Sequence, residues 1–107
     1  MTITQTQDQQ LIISGFHALS DKIRVQVLNL LRTRELCVCE LTEILEIPQS
    51  KLSFHLKTLR ETKLVNSRQQ GRWTYYSLNL PQLVTLEQYL SEFRRSAVLS
   101  PVSSCCD

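Results

Sequence analysis

Residues 38 to 61 read VCELTEILEIPQSKLSFHLKTLRE, and this run decides the fold. Leu41, Ile44 and Leu45 recur at helical spacing, so a short helix over Val38 to Glu46 is expected with those side chains inward. Pro48 follows at once. Proline is tolerated at the first position of a helix but not inside one, so a further helix is expected to start there. Its inner face would carry Leu52, Leu56 and Leu59. Only one or two residues then part the two helices, the spacing of a helix-turn-helix.

The elements on either side complete the pattern. Leu11, Ile12, Phe16 and Leu19 suggest a first helix, and Ser20 or Asp21 can cap a second carrying Ile23, Val27, Leu30 and Leu31. After the central pair the period changes. LVNSRQQ and RWTYYSL are β-branched and aromatic and flank Gly71, which predicts a β-hairpin with a Gln-Gly-Arg turn. Leu83, Leu86, Leu90 and Phe93 then mark a last amphipathic helix that ends at Arg94 and Arg95, where cations suit the helix dipole. The expected fold is mainly α with a β-hairpin wing, a winged helix-turn-helix of order α-α-α-α-β-β-α. Residues 1–9 read as a flexible arm, 10–95 as the domain and 96–107 as a flexible tail bearing cysteines. So small a core leaves the terminal helices partly uncovered, and a homodimer through them is expected.

Length and composition narrow the function. The 107 residues suffice for one domain with a modest core. No apolar run approaches the roughly 20 residues of a membrane span, and MTITQTQDQQ lacks the features of a secretory signal. A cytoplasmic location is expected. Thiols stay reduced there, so disulfides are the least favoured role for the four cysteines. The net charge is only +2, but six cations against one acid between Pro48 and Leu78 give that segment +5, leaving −3 elsewhere. A concentrated basic segment suits an anionic partner, nucleic acid being the commonest, although such runs are also ordinary solvated faces.

Double-stranded DNA is therefore the expected partner. Gln49 can pair bidentately with adenine, while Ser50 and Ser53 can meet bases or phosphate. Lys51 and Lys57 would neutralise backbone charge. Phe54 either touches a thymine methyl or packs on the domain surface. His55, next to the inward Leu56, joins this set as a hydrogen-bonded boundary residue rather than a metal ligand. Arg68, Gln70 and Arg72 surround the hairpin tip, within reach of phosphate or a minor groove.

The run from Glu35 to Leu78 resembles the core of the ArsR/SmtB family of metal-responsive bacterial repressors. The resemblance rests on CVC at the short helix, S-x-H-L at Ser53 to Leu56, and the wing Q-G-R-W-T-Y-Y, and it extends over about residues 11 to 95. It implies a dimeric winged-helix repressor that releases its operator when metal or metalloid binds.

Cys37 and Cys39 are the candidate sensors, against the plainer role of small buried hydrophobes. On an ideal helix, residues two apart point roughly 200° from each other. Both thiols can face one ion only if Cys37 lies at or before the helix start. Soft thiolates select soft ions, and two of them leave the coordination incomplete. The sequence departs from arsenic sensors with C-V-C-x-x-C, because Thr42 stands where the third thiol would be. Cadmium and lead sensors of the family draw cysteines from an N-terminal arm, which has none here; zinc sensors use Asp and His on the last helix, which has no histidine. The expected set is Cys37, Cys39 and at least one of Cys105 and Cys106, ten residues past Arg95 and within about 35 Å when extended. Three thiolates would suit As(III) or Sb(III); four would suit Cd(II) or Pb(II). A regulator sensing thiol oxidation is the alternative. An enzyme reading lacks a cysteine-activating base, a glycine-rich loop and an acidic cluster.

Overall fold

A computed structural model describes residues 5–100, with no side-chain detail before Asp8. In chain order it comprises α1 (Gln5–Ala18), α2 (Lys22–Leu30), β1 (Leu36–Cys37), α3 (Val38–Leu45), α4 (Gln49–Glu61), β2 (Val65–Gln70), β3 (Trp73–Leu78) and α5 (Leu80–Ser96). This is the expected winged helix-turn-helix with one additional strand. The two-residue β1 pairs antiparallel with β3, so the hairpin becomes a three-stranded sheet of order β1-β3-β2. So short a strand has no sequence period to betray it. It exists because β3 offers an open edge.

Local chemistry sets the element boundaries. Asp21 caps α2 by accepting the N–H groups of Ile23 at 2.8 Å and Arg24 at 3.2 Å. Pro48 occupies the N-cap of α4, with extended backbone, one position earlier than expected. Glu46 ends α3 in the left-handed conformation, so three residues part α3 from α4 instead of one or two. The hairpin register brings Gln70 opposite Trp73, leaving Gly71 and Arg72 as a two-residue loop. Gly71 has φ +63°, the conformation such a loop demands at its first position. Helix α1 begins at Gln5, ahead of the first apolar repeat.

The core lies where α4 meets its neighbours. Val27, Leu41, Leu52, Leu56, Leu59 and Leu64 are fully buried, joined by Leu31, Leu36, Val65, Tyr76 and Leu86. Gly15 lets α1 approach α5, since a Cβ there would meet the Leu86 methyls at 3.2 Å. One inward assignment is corrected: Ile44 is 49% exposed, because α3 is too short to bury more than one stripe, centred on Leu41. On α5 the expected stripe splits. Leu86 is buried and Leu83 half-buried, but Leu90 is 56% and Phe93 62% exposed. Ile13, Leu80 and Val84 add to this apolar surface on the same two terminal helices.

Candidate nucleic-acid interface and thiol site

Helix α4 presents a polar outer face. Gln49, Ser50, Lys51, Ser53, Phe54 and Lys57 are all exposed. Phe54 is 63% exposed and sets its ring edge-on to His55, with centroids 5.3 Å apart. His55 itself is not on that face. It is 6% exposed, and its Nδ1 accepts a hydrogen bond from Arg24 Nη1 at 3.0 Å, since a guanidinium can only donate. Arg24 is also buried and gives its Nε–H to the Ala18 carbonyl at 2.8 Å. Asp21 lies 3.8 Å from His55 Nδ1, beyond hydrogen-bond length. Burial alone would raise the Asp21 pKa. The N–H groups of Arg24 and Ile23, with the Arg24 charge, outweigh burial and lower it. His55 thus anchors α4 to the α1–α2 corner: the residue expected as a hydrogen-bonded boundary member of the DNA-reading set lies inside the fold. Arg24 was missed, because one arginine between apolar helix residues reads as an exposed charge.

The wing residues separate into two groups. Arg68 gives its Nε–H to Glu35 Oε2 at 2.9 Å and an Nη2–H to Glu35 Oε1 at 2.6 Å. Its Nη1 donates to Gln70 Oε1 at 2.7 Å, and its guanidinium lies 4.7 Å from the Tyr75 ring centroid. The hydrogen bonds from Arg68 hold the Glu35 carboxyl below the ordinary carboxylate range. Arg72, by contrast, is exposed at the loop and has no ion-pair partner among the described residues.

The thiols stand beside this wing. Cys37 is the N-cap of α3 with extended backbone (φ −88°, ψ 165°), the position at which both sulfurs can turn to one side. Cys37 Sγ and Cys39 Sγ are 2.7 Å apart, with Cys37 buried and Cys39 exposed. The Glu40 carboxylate accepts the Cys37 N–H at 3.0 Å and also meets Arg34 at 3.2 Å. That N–H, with Arg34, lowers the Glu40 pKa. The hydrogen bond with Cys37, followed by burial and the Cys37 charge, holds the Cys39 thiol above the usual thiol range. A cleft of about 200 Å³ opens beside Cys39, lined by Val38, Gln49, Arg72, Trp73 and Thr74. One shallow space therefore touches the thiol helix, the start of α4 and the wing. Among the described residues no three His, Cys, Asp or Glu side chains cluster as a metal site. Cys105 and Cys106 lie outside the described residues.

Known proteins share the sequence pattern and the fold. Residues 21–67, from the cap of α2 into β2, match the family described as bacterial regulatory protein, arsR family. The arsenical resistance operon repressor of Bacillus subtilis (strain 168) is 46% identical over 65 residues, 60% of this chain and 62% of that protein. The chain thus spans about three fifths of the length of that relative. The arsenical resistance operon repressor of Staphylococcus xylosus is 40% identical over 72 residues, 67% of this chain and 69% of that protein. Among solved structures, reduced HlyU from Vibrio cholerae N16961 aligns with a TM-score of 0.65 at 30% identity, over 85% of this chain and 94% of that one. With fold, matched segment and relatives in agreement, the chain belongs to the arsR family of bacterial regulatory proteins.

Proposed function

We propose that this chain is a metalloid-responsive transcriptional repressor of the cytoplasm. It holds double-stranded operator DNA as a homodimer and leaves it when As(III) or Sb(III) binds Cys37, Cys39 and at least one of Cys105 and Cys106. The observation that carries this reading is the convergence of two sulfurs, 2.7 Å apart, on the N-cap of the helix before α4. The names of the two bacillar and staphylococcal relatives, both arsenical resistance operon repressors, support the choice of arsenite. On DNA, the start of α4 reads base edges through Gln49, Ser50 and Ser53, with Phe54 against a thymine methyl. Lys51, Lys57 and Arg72 neutralise phosphate. The exposed apolar residues of α1 and α5 supply the dimer contact. Residues 10–95 then form the reading and pairing domain, and 96–107 the tail that brings the remaining thiols.

Arsenous acid reacts by exchange. Each thiol forms an As–S bond, one As–OH bond breaks, and the thiol proton leaves with the hydroxide as water. Pulling Cys37 and Cys39 towards further ligands tilts α3 and misaligns the paired α4 helices. Arsenite must then bind the free protein more tightly than the DNA complex, and DNA must weaken arsenite binding by the same factor. The test is operator binding by fluorescence anisotropy, titrated with As(III), Sb(III), Cd(II) and Zn(II), on the wild type and on a truncation after Ser104. Arsenite release by the wild type and its loss in the truncation are expected. An unchanged arsenite response in the truncation removes Cys105 and Cys106 from the site, and no response in the wild type sinks the reading.

A pH series tells a metalloid from a divalent metal. Cys39 holds its proton more tightly than an ordinary thiol, so at neutral pH the free site is protonated there. Cd(II) or Pb(II) must expel that proton, and its affinity should rise about tenfold per pH unit for each thiol proton released. Arsenous acid releases water and no net proton, so its affinity should stay nearly flat between pH 6 and 8. Isothermal titration in buffers of different ionisation enthalpy reads the proton count directly.

The short S···S distance favours one second reading, a regulator whose Cys37–Cys39 pair senses an oxidant. DNA release by peroxide in the absence of metalloid, reversed by a dithiol, would select it.

A further inference from the structure

Cys37, Tyr75 and Arg68 form a single row across the sheet: Cys37 on β1 is opposite Tyr75 on β3, and Tyr75 is opposite Arg68 on β2. Directly opposed residues present their side chains on the same face. The candidate sensor thiol and the wing arginine therefore share a face, about two strand spacings, or roughly 10 Å, apart. Arg68 closes that gap by lying over the Tyr75 ring and clasping Glu35, two residues before Cys37, with two hydrogen bonds of 2.9 and 2.6 Å. Its remaining nitrogen bonds Gln70. Each of its three nitrogens has a partner, which occupies three of its five N–H groups, and a planar bidentate pair holds its geometry better than a single contact. Arg72, four residues further along the same hairpin, is exposed and has no ion-pair partner among the described residues.

We propose that Glu35 and Arg68 are positioning residues that couple the Cys37–Cys39 site to the wing, and that Arg72, not Arg68, is the wing's phosphate contact. This rests on the inducer reading above for its coupling half; the division between the two arginines does not. Cys37 is at once the last residue of β1 and the cap of α3, so a ligand that draws its sulfur aside must move the strand to which Glu35 is attached. Arg68 passes that movement to β2 and so to the loop that carries Arg72. Without the pair, the wing no longer follows the thiols.

The test uses the full chain and its operator, with Glu35→Gln, Arg68→Gln and Arg72→Gln. Arsenite titration of anisotropy is expected to show the wild-type loss of operator affinity reduced at least tenfold in Glu35→Gln and in Arg68→Gln, with wild-type arsenite stoichiometry. The double variant should do no worse than either single one, as for two halves of one contact. The exchanged pair, Glu35→Arg with Arg68→Glu, should recover part of the response that each exchange alone abolishes. The salt dependence of operator binding should lose a slope of about one per subunit in Arg72→Gln and nothing in Arg68→Gln. A slope lost in Arg68→Gln overturns the phosphate assignment, and a wild-type arsenite response in Glu35→Gln overturns the coupling. A wild type that binds operator but ignores arsenite refutes the inducer reading instead, and the salt slopes still decide between the two arginines.

Discussion

Cys37→Ser and Cys39→Ser proteins are expected to remain on operator DNA at arsenite concentrations that strip the wild type. Serine keeps the size of the side chain but replaces a soft sulfur by a hard hydroxyl, which As(III) holds far less well. If the wild type loses operator affinity a hundredfold, about 2.7 kcal/mol of coupling is at stake, and either substitution should remove nearly all of it. The two variants also separate sensing from folding. Cys37 is the N-cap of α3, and serine is among the best residues for that place, so Cys37→Ser should be no less stable than the wild type. Anisotropy with arsenite, set beside a urea melt of each protein, reads both quantities. Release at the wild-type arsenite concentration in both variants would exclude the thiol pair as the inducer site.

Leu56→Ala is expected to have the largest effect on stability. Leu56 is 1% exposed on the inner face of α4, beside Leu52 and Leu59. Truncating a leucine in such a place removes its burial and leaves a cavity, typically about 2–5 kcal/mol. For a domain of this size the thermal midpoint should fall by roughly ten degrees or more, since each kcal/mol is worth about 4–8 °C. The functional consequence is specific to this helix. The inner face of α4 packs into the core while its outer face carries the candidate base readers, so operator affinity should fall even below the melting range. Calorimetry and anisotropy at one temperature test this, and a midpoint within two degrees of wild type would mean that the core closes over the missing methyls.

Most of the fold was legible because period and breaker residues agree. The leucines of α4 repeat on one side of a helix, Pro48 bars helix before it, and Gly71 permits the tight hairpin. The boundary error at the start of α4 has a plain cause: a proline suits the N-cap as well as the first helical position, and only the backbone angles distinguish them. His55 shows the limit more sharply. Its neighbours in sequence suggested a boundary residue, but what makes it internal is Arg24, 31 positions away, whose buried guanidinium needs an acceptor. The cysteine pair was half legible. The helical angle between positions two apart required Cys37 to sit at the helix start, and the structure has it as the cap.

The amino-acid sequence by itself determined the helix-turn-helix, the wing, the apolar surplus on the terminal helices and the need for Cys37 to precede α3, because each depends on spacing within a few residues. Tertiary structure alone decided the strand β1, the Arg24–His55 bond and the Glu35–Arg68 clasp across Tyr75. Those contacts join residues more than thirty positions apart, and they form only when an open sheet edge or a desolvated charge finds the partner that folding brings to it.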